Sequence, residues 1–159
     1  MDLRINDTAP DFKAKTTEGE ISFHEWIGDS WAVLFSHPRY NTPVCSTELG
    51  EVERLRPEFE KRNVKMIGLS VDTVEETSSW LDDIKDITNQ KPTFPIIADT
   101  SMEISKLFNM LPTSLEGGSD GRTAMDNQTV RTVFIVGPDK KIKLYLTYPM
   151  TTGRNFDEI

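Results

Sequence analysis

Trp31-Ala32-Val33-Leu34-Phe35-Ser36-His37-Pro38-Arg39-Tyr40-Asn41-Thr42-Pro43-Val44-Cys45-Ser46-Thr47-Glu48-Leu49 passes from a strand to a helix within a few residues. Trp31 to Phe35 is a continuous apolar run, the pattern of a strand buried on both faces. From Pro43 to about Asn63, the residues Cys45, Leu49, Val52, Leu55 and Phe59 fall at helical spacing on one face. Thr42 is a good N-cap and Pro43 suits the first helical position, so Cys45 is the third residue of the helix. Pro57 is expected to kink or split that helix in its second half. Cys45 therefore lies beyond the carboxyl edge of a sheet, where α/β folds place their sites.

Outward from this stretch the elements alternate. Before it comes a turn at Thr17-Glu18-Gly19-Glu20. After it, Val64 to Val71 reads as a strand. Thr73 to Thr88 reads as a helix with Glu75 and Glu76 in its first turn and Trp80, Leu81, Ile84 and Ile87 facing inward. Phe94 to Ala98 is a short strand, and Ser101 to Asn109 a helix carrying Ile104, Leu107 and Phe108. Glu116 to Gln128 reads as a long polar loop of the kind that is often functional. Val130 to Val136 and Ile142 to Tyr148 form a hairpin about Gly137-Pro138-Asp139-Lys140, and a last helix starts near Thr152. Right-handed crossovers make the early strands parallel, with the hairpin antiparallel. The expectation is an α/β, thioredoxin-like fold: a central mixed β-sheet flanked by helices, in one domain over residues 1–159.

Composition narrows the function classes. Hydrophobic residues are 36% and charged residues 28% of 159, ordinary for a globular domain. Eighteen basic against twenty-six acidic residues give a net charge of -8, which argues against nucleic acid and anionic membrane surfaces. No apolar run approaches spanning length, and the start, Met1 to Asp7, lacks the basic and apolar regions of a signal peptide. The cytoplasm is the expected compartment. The abrupt stop at Ile159 implies a fragment of a longer protein. One cysteine excludes an internal disulfide, and with two histidines a structural zinc site is not expected. A lone cysteine is either a small buried hydrophobe or a nucleophile, and composition alone favours the former.

Position favours the latter. The free N–H groups and positive dipole end of a helix's first turn stabilise an anion, and a thiolate is one. That is insufficient for fast chemistry. A thiol of pKa about 8.5 is already roughly 3% ionised at neutral pH, so full ionisation gains only ~30-fold, about 2 kcal/mol. Fast attack by such a thiolate needs further groups that stabilise the charge developing as a bond in its target stretches. Arg131 is one candidate. Val130, Thr132, Phe134 and Val136 share one strand face and Arg131, Val133 and Ile135 the other, so Arg131 sits on a strand apolar enough to be buried and needs an anion. A thiolate with its bound substrate would serve, and so would a structural ion pair, with Glu48 the obvious partner. Both readings stand at this point.

Pro38-x-x-x-Thr42-x-x-Cys45 resembles the active-site motif of the peroxiredoxins. Phe35-Ser36-His37-Pro38-Arg39 with Thr42-Pro43-Val44-Cys45-Ser46-Thr47-Glu48-Leu49 resembles their one-cysteine branch, that of peroxiredoxin 6. Further matches are Asp7 to Phe12, Val130 to Phe134, Gly137 to Lys141 and Tyr148 to Phe156, so the likeness runs along essentially the whole chain. It implies a thiol peroxidase in which Cys45 attacks a hydroperoxide and Thr42 and Arg131 hold the oxygens. Pro38, Glu48 and Arg154 would support them, and His37 would border the sulfur. It further implies no cofactor, recycling by an external thiol or thiol protein, and a homodimer. The carboxy-terminal dimerisation domain usual in the branch is missing from this sequence. Two departures stand out. Tyr40-Asn41 replaces the usual Asp-Phe before the threonine, and Ser46 replaces a threonine.

Other signals are weaker. Gly28-Asp29-Ser30-Trp31-Ala32 is similar to a lipase G-x-S-x-G, and the resemblance matches Ser30, His24 and Asp139 to a phospholipase-type triad of the peroxiredoxin 6 relatives. A nucleophile elbow lies between a strand and a following helix, whereas Ser30 precedes a strand, so a turn serine and a surface histidine are the plainer reading. Trp26, Trp31 and Trp80 read as core. Glu51-Val52-Glu53 and the helix with Asp82 and Asp83 read as solvated faces. A disulfide reductase is rejected because Glu48 stands where Cys-x-x-Cys needs its second cysteine. The remaining rival is a non-catalytic binding or chaperone-like module on the same scaffold.

Overall fold

Seven strands form one sheet in the order β2-β1-β5-β4-β3-β6-β7. A computed structural model of the chain describes residues 3–37, 43–89, 91–110, 131–148 and 159, without the side chains of 43–47 and 131. The strands are β1 (Lys13–Thr16), β2 (Gly19–Ser22), β3 (Trp31–Ser36), β4 (Val64–Ser70), β5 (Ile96–Ala98), β6 (Arg131–Val136) and β7 (Ile142–Tyr148). The helices are α1 (Phe23–Ile27), α2 (Pro43–Lys61), α3 (Val74–Thr88) and α4 (Glu103–Leu107). β3, β4 and β5 are parallel, while β6 runs antiparallel to both β3 and β7. The long polar loop expected at 116–128 and the helix expected from Thr152 lie outside the described residues.

Strand alternation sorts the core into two layers. Ala32, Leu34, Ile67, Leu69, Phe134 and Val136 face α1 and α4, packing on Phe23, Ile27, Ile104 and Phe108. Val33, Phe35, Met66, Ile96 and Val133 face the other way, onto Leu49 and Val52 of α2 and Trp80, Leu81 and Ile84 of α3. The apolar run of β3 is thus continuous because each face has its own helical layer. α3 begins at Thr73, whose Oγ1 accepts from Glu76 N at 3.1 Å, as a capping threonine does.

α2 and α3 approach closely at Gly50. A Cβ there would lie 2.8 Å from Thr88 Oγ1 and 2.9 Å from Thr88 Cβ, so only glycine permits this spacing. Thr88 thus occupies the centre of α3's packed face at its end, and Ile87, turned about 100° away, is 68% exposed rather than inward. Pro57 does not split α2, which runs unbroken from Pro43 to Lys61. The proline forfeits one backbone bond. Buried Leu49 and Val52, half-buried Leu55 and Phe59, and outer pairs such as Arg54–Glu51 and Arg56–Glu60 hold the helix across it.

Other expectations need correction. Trp31 is 38% exposed because it opens β3 at the rim of the sheet; Trp26 is half-buried, and Trp80 is core. Glu53 is not solvated: it is 8% exposed and accepts from Thr93 N at 3.0 Å and Arg56 Nε at 3.1 Å. α4 is shorter than expected, since Met102 at φ 62° and Asn109 at φ 55° break the helical path on either side. α1 went unforeseen. Asp11 Oδ1 accepts from Phe12 N and His24 N, both at 2.9 Å, at the start of this helix. The His24 N–H above all holds the Asp11 carboxyl below the usual range, so its small stabilising contribution is lost as pH falls through that depressed value.

Thr77, on the inner face of α3, is buried, and its Oγ1 makes no hydrogen bond among the described residues. Thr77→Val keeps the shape and removes an unsatisfied hydroxyl. It is expected to raise unfolding stability by about 1 kcal/mol in urea titration. A loss of stability would show instead that the hydroxyl is paired.

Candidate active site

The site is assembled where β3 ends, α2 begins and β6 starts. β3 stops at Ser36, and the chain re-enters at Pro43 as the first residue of α2. Cys45 is then the third helical residue, within the first turn whose N–H groups have no intrahelical partner. It precedes Glu48 by three places and Leu49 by four, and these are 5% and 0% exposed. Position 45 therefore belongs to the stripe of α2 that meets the sheet.

β6 brings in Arg131 from the opposite direction. Phe35 pairs with Val133, and Thr132 N donates to Ser36 Oγ at 3.1 Å, locking the carboxyl end of β3 to the start of β6. Arg131 is the next residue, the first of β6, set opposite Tyr148 of β7. Its strand position is on the face of Val133 and Ile135, the face that α2 covers. The backbone thus carries positions 45 and 131 to one end and one face of the sheet.

His37 and Glu48 complete what is described there. His37 is fully buried, its backbone N donates to Leu69 O at 3.1 Å, and its ring lies 5.1 Å from that of Trp80 at an interplanar angle of 59°. Pro38, Thr42, Arg154 and the Tyr40-Asn41 departure lie outside the described residues. Trp80 was read only as core; nothing in the sequence marks its contact with His37, because the two meet only once α3 folds across β3.

The triad of the weaker motif is not brought into hydrogen-bond contact. Ser30 Oγ donates to Asn63 Oδ1 at 3.0 Å, His24 Nε2 lies 2.7 Å from Ala9 O, and Asp139 Oδ2 accepts from Lys143 Nζ at 2.9 Å. Lys143, then the Lys141 N–H, hold the Asp139 carboxyl below its ordinary range. Ser30 lies between α1 and β3, helix before strand, the reverse of a nucleophile elbow. Among the described residues, no group of three or more His, Cys, Asp or Glu side chains is placed to hold a metal, and no helix is long and apolar enough to cross a membrane.

Residues 5–145 match the model of the AhpC/TSA family. The chain belongs to the AhpC/TSA family. It is 52% identical over 163 residues to peroxiredoxin-6 of Pongo abelii and 52% identical over 161 residues to that of Homo sapiens, in each case over 99% of this chain and 70% of the relative. Among solved structures, a yeast mitochondrial 1-Cys peroxiredoxin, studied for its thiol resolving mechanism via glutathione/thioredoxin systems, superposes with a TM-score of 0.86. It is 49% identical, over 98% of this chain and 72% of that one. A cysteine-to-serine mutant of peroxiredoxin 6 from Arenicola marina gives a TM-score of 0.87 at 45% identity, over 98% and 70%. With its single cysteine the chain matches the one-cysteine peroxiredoxins, in the expected thioredoxin-like fold. It is a thiol-dependent peroxidase, an oxidoreductase, and the binding-module alternative is not favoured.

Proposed function

We propose that Cys45 is the peroxidatic residue and that Thr42 and Arg131 hold the two oxygens of a bound hydroperoxide. The Cys45 thiolate attacks the terminal oxygen, a sulfur–oxygen bond forms as the oxygen–oxygen bond breaks, and the leaving alkoxide or hydroxide takes a proton from solvent. Sulfur is oxidised to a sulfenic acid and the peroxide is reduced to alcohol or water. The observation that carries this reading is backbone placement: Cys45 in the first turn of α2 and Arg131 at the start of β6 share one end and one face of the sheet. Pro38, His37, Glu48 and Arg154 are the supporting residues. The burial of His37 and Glu48 at this end fits that part.

Residues 1–159 are read as the peroxiredoxin domain. With one cysteine in the chain, the sulfenic acid must be cleared by an outside thiol. The first thiol displaces water to form a mixed disulfide, and a second releases Cys45. Glutathione or a thioredoxin-type dithiol fits, given the systems named for the yeast relative, and such thiols are held reduced in the cytoplasm. A homodimer is the proposed working unit. The exposed Leu144 and Tyr145 on β7, at the edge of the sheet, are consistent with it. The test is the mass of the Cys45 peptide after one equivalent of hydrogen peroxide or tert-butyl hydroperoxide, followed by glutathione or reduced thioredoxin. Gain of one oxygen within the mixing time, reversed by a thiol, is expected. Oxidation no faster than that of free cysteine would end the proposal.

A further inference from the structure

We propose that Trp80 is a positioning residue for peroxide reduction, acting through the imidazole of His37. The inference rests on the reading above, in which His37 borders the Cys45 sulfur. His37 is the first residue after β3, and its backbone is held by Leu69 O at 3.1 Å. That bond fixes where the side chain starts but not how the ring is turned, since the terminal torsion of histidine is broad and roughly two-fold.

Trp80 restricts that torsion. Its indole lies 5.1 Å from the imidazole, tilted by 59°, and the two residues are 1% and 0% exposed, so neither ring has solvent to turn into. Tilted aromatic pairs prefer such arrangements, and a flat wall on one side selects among orientations of the ring it touches. Trp80 is itself held. It belongs to the layer formed by Val33 and Phe35 of β3, Leu49 of α2 and Leu81 and Ile84 of α3. Leu49 is one turn beyond Cys45 on the same stripe of α2, so one packed cluster spans the helix bearing the sulfur and the ring beside His37. A leucine at position 80 would fill much of the volume but remove the aromatic wall on that side of the imidazole.

The experiment is a double-mutant cycle on the second-order rate of Cys45 oxidation by hydrogen peroxide, with thermal unfolding of each variant followed alongside. Trp80→Leu is expected to slow oxidation ~10-fold, less than the ~100-fold that a 1 Å misplacement of a reacting group costs. Trp80→Phe, which restores a smaller ring, should recover part of the rate, to within ~3-fold of wild type. In a His37→Gln background, Trp80→Leu should slow oxidation no further, because residues that act through one another are not additive. Equal losses in both backgrounds would make Trp80 a packing residue only, and no loss in either would also overturn the proposal. Should Trp80→Leu fail to fold, Trp80→Phe carries the cycle alone: a loss of ~3-fold confined to the His37 background supports it, and an equal loss in both refutes it. A wild-type Cys45 inert to peroxide would sink the peroxidase reading itself, an outcome distinct from additivity in the cycle.

Discussion

Arg131→Ala is expected to slow oxidation of Cys45 by about 10²–10³-fold, the range seen when one preorganised donor to developing charge is removed, while Cys45→Ser abolishes peroxide reduction altogether. The expectation follows from the charge balance of the reaction. A thiolate approaches a neutral hydroperoxide, and negative charge moves onto the departing oxygen as the bond stretches. Helix-end stabilisation of the thiolate gains at most the ~30-fold set by complete ionisation. A guanidinium aimed at both oxygens acts only where charge is developing, so its removal lowers the rate without a matching loss of ground-state binding. Stopped-flow competition against a reference peroxidase reads both variants. Arg131→Lys should recover only part of the rate, since a point charge does not reproduce a two-pronged donor. If Arg131→Ala oxidises as fast as wild type, the arginine serves structure, as the Glu48 ion-pair reading would have it.

Leu49→Ala should cost about 2–5 kcal/mol of unfolding free energy, the span for deleting a buried leucine side chain. Leu49 is fully buried where α2 meets Val33, Phe35 and Val133 of the sheet and Trp80 of α3. The adjacent Gly50 brings α2 so close to Thr88 that α3 has little room to shift into the cavity. Poor collapse places the cost in the upper half of the range. Urea denaturation monitored by circular dichroism measures it, with the dependence on denaturant unchanged if the unfolded state is unaffected. A cost below ~1 kcal/mol would mean that α2 is anchored elsewhere along its length.

Much of the frame was legible because it is written in short-range patterns. The apolar run of β3, the helical spacing of Leu49 and Val52, the acidic first turn of α3 and the turn at 137–140 each depend on residues within a few places of one another. Local rules therefore suffice to recognise them. Pro57 shows where a local rule loses. Its intrinsic cost to the helix is real, yet packing on both sides of it outweighs one missing backbone bond.

What the linear order could not decide were the facts made by contacts between distant segments. Glu53 reads as a solvated acid, but Thr93 and Arg56 supply the hydrogen bonds that let it be buried. Ile87 belongs to an apolar helical stripe, but the meeting of Gly50 with Thr88 turns α3 so that it faces outward. The pairing of Phe35 with Val133 carries position 131 to the head of α2, and the crossing of α3 sets Trp80 against His37. By itself the sequence determined most of the elements from β3 onward and where its chemically versatile side chains lie along the chain, because propensity, periodicity and functional-group identity belong to each short segment. Tertiary structure decided the burial of Glu53, the outward facing of Ile87 and the neighbourhood of His37, because these depend on how segments far apart in the chain pack together.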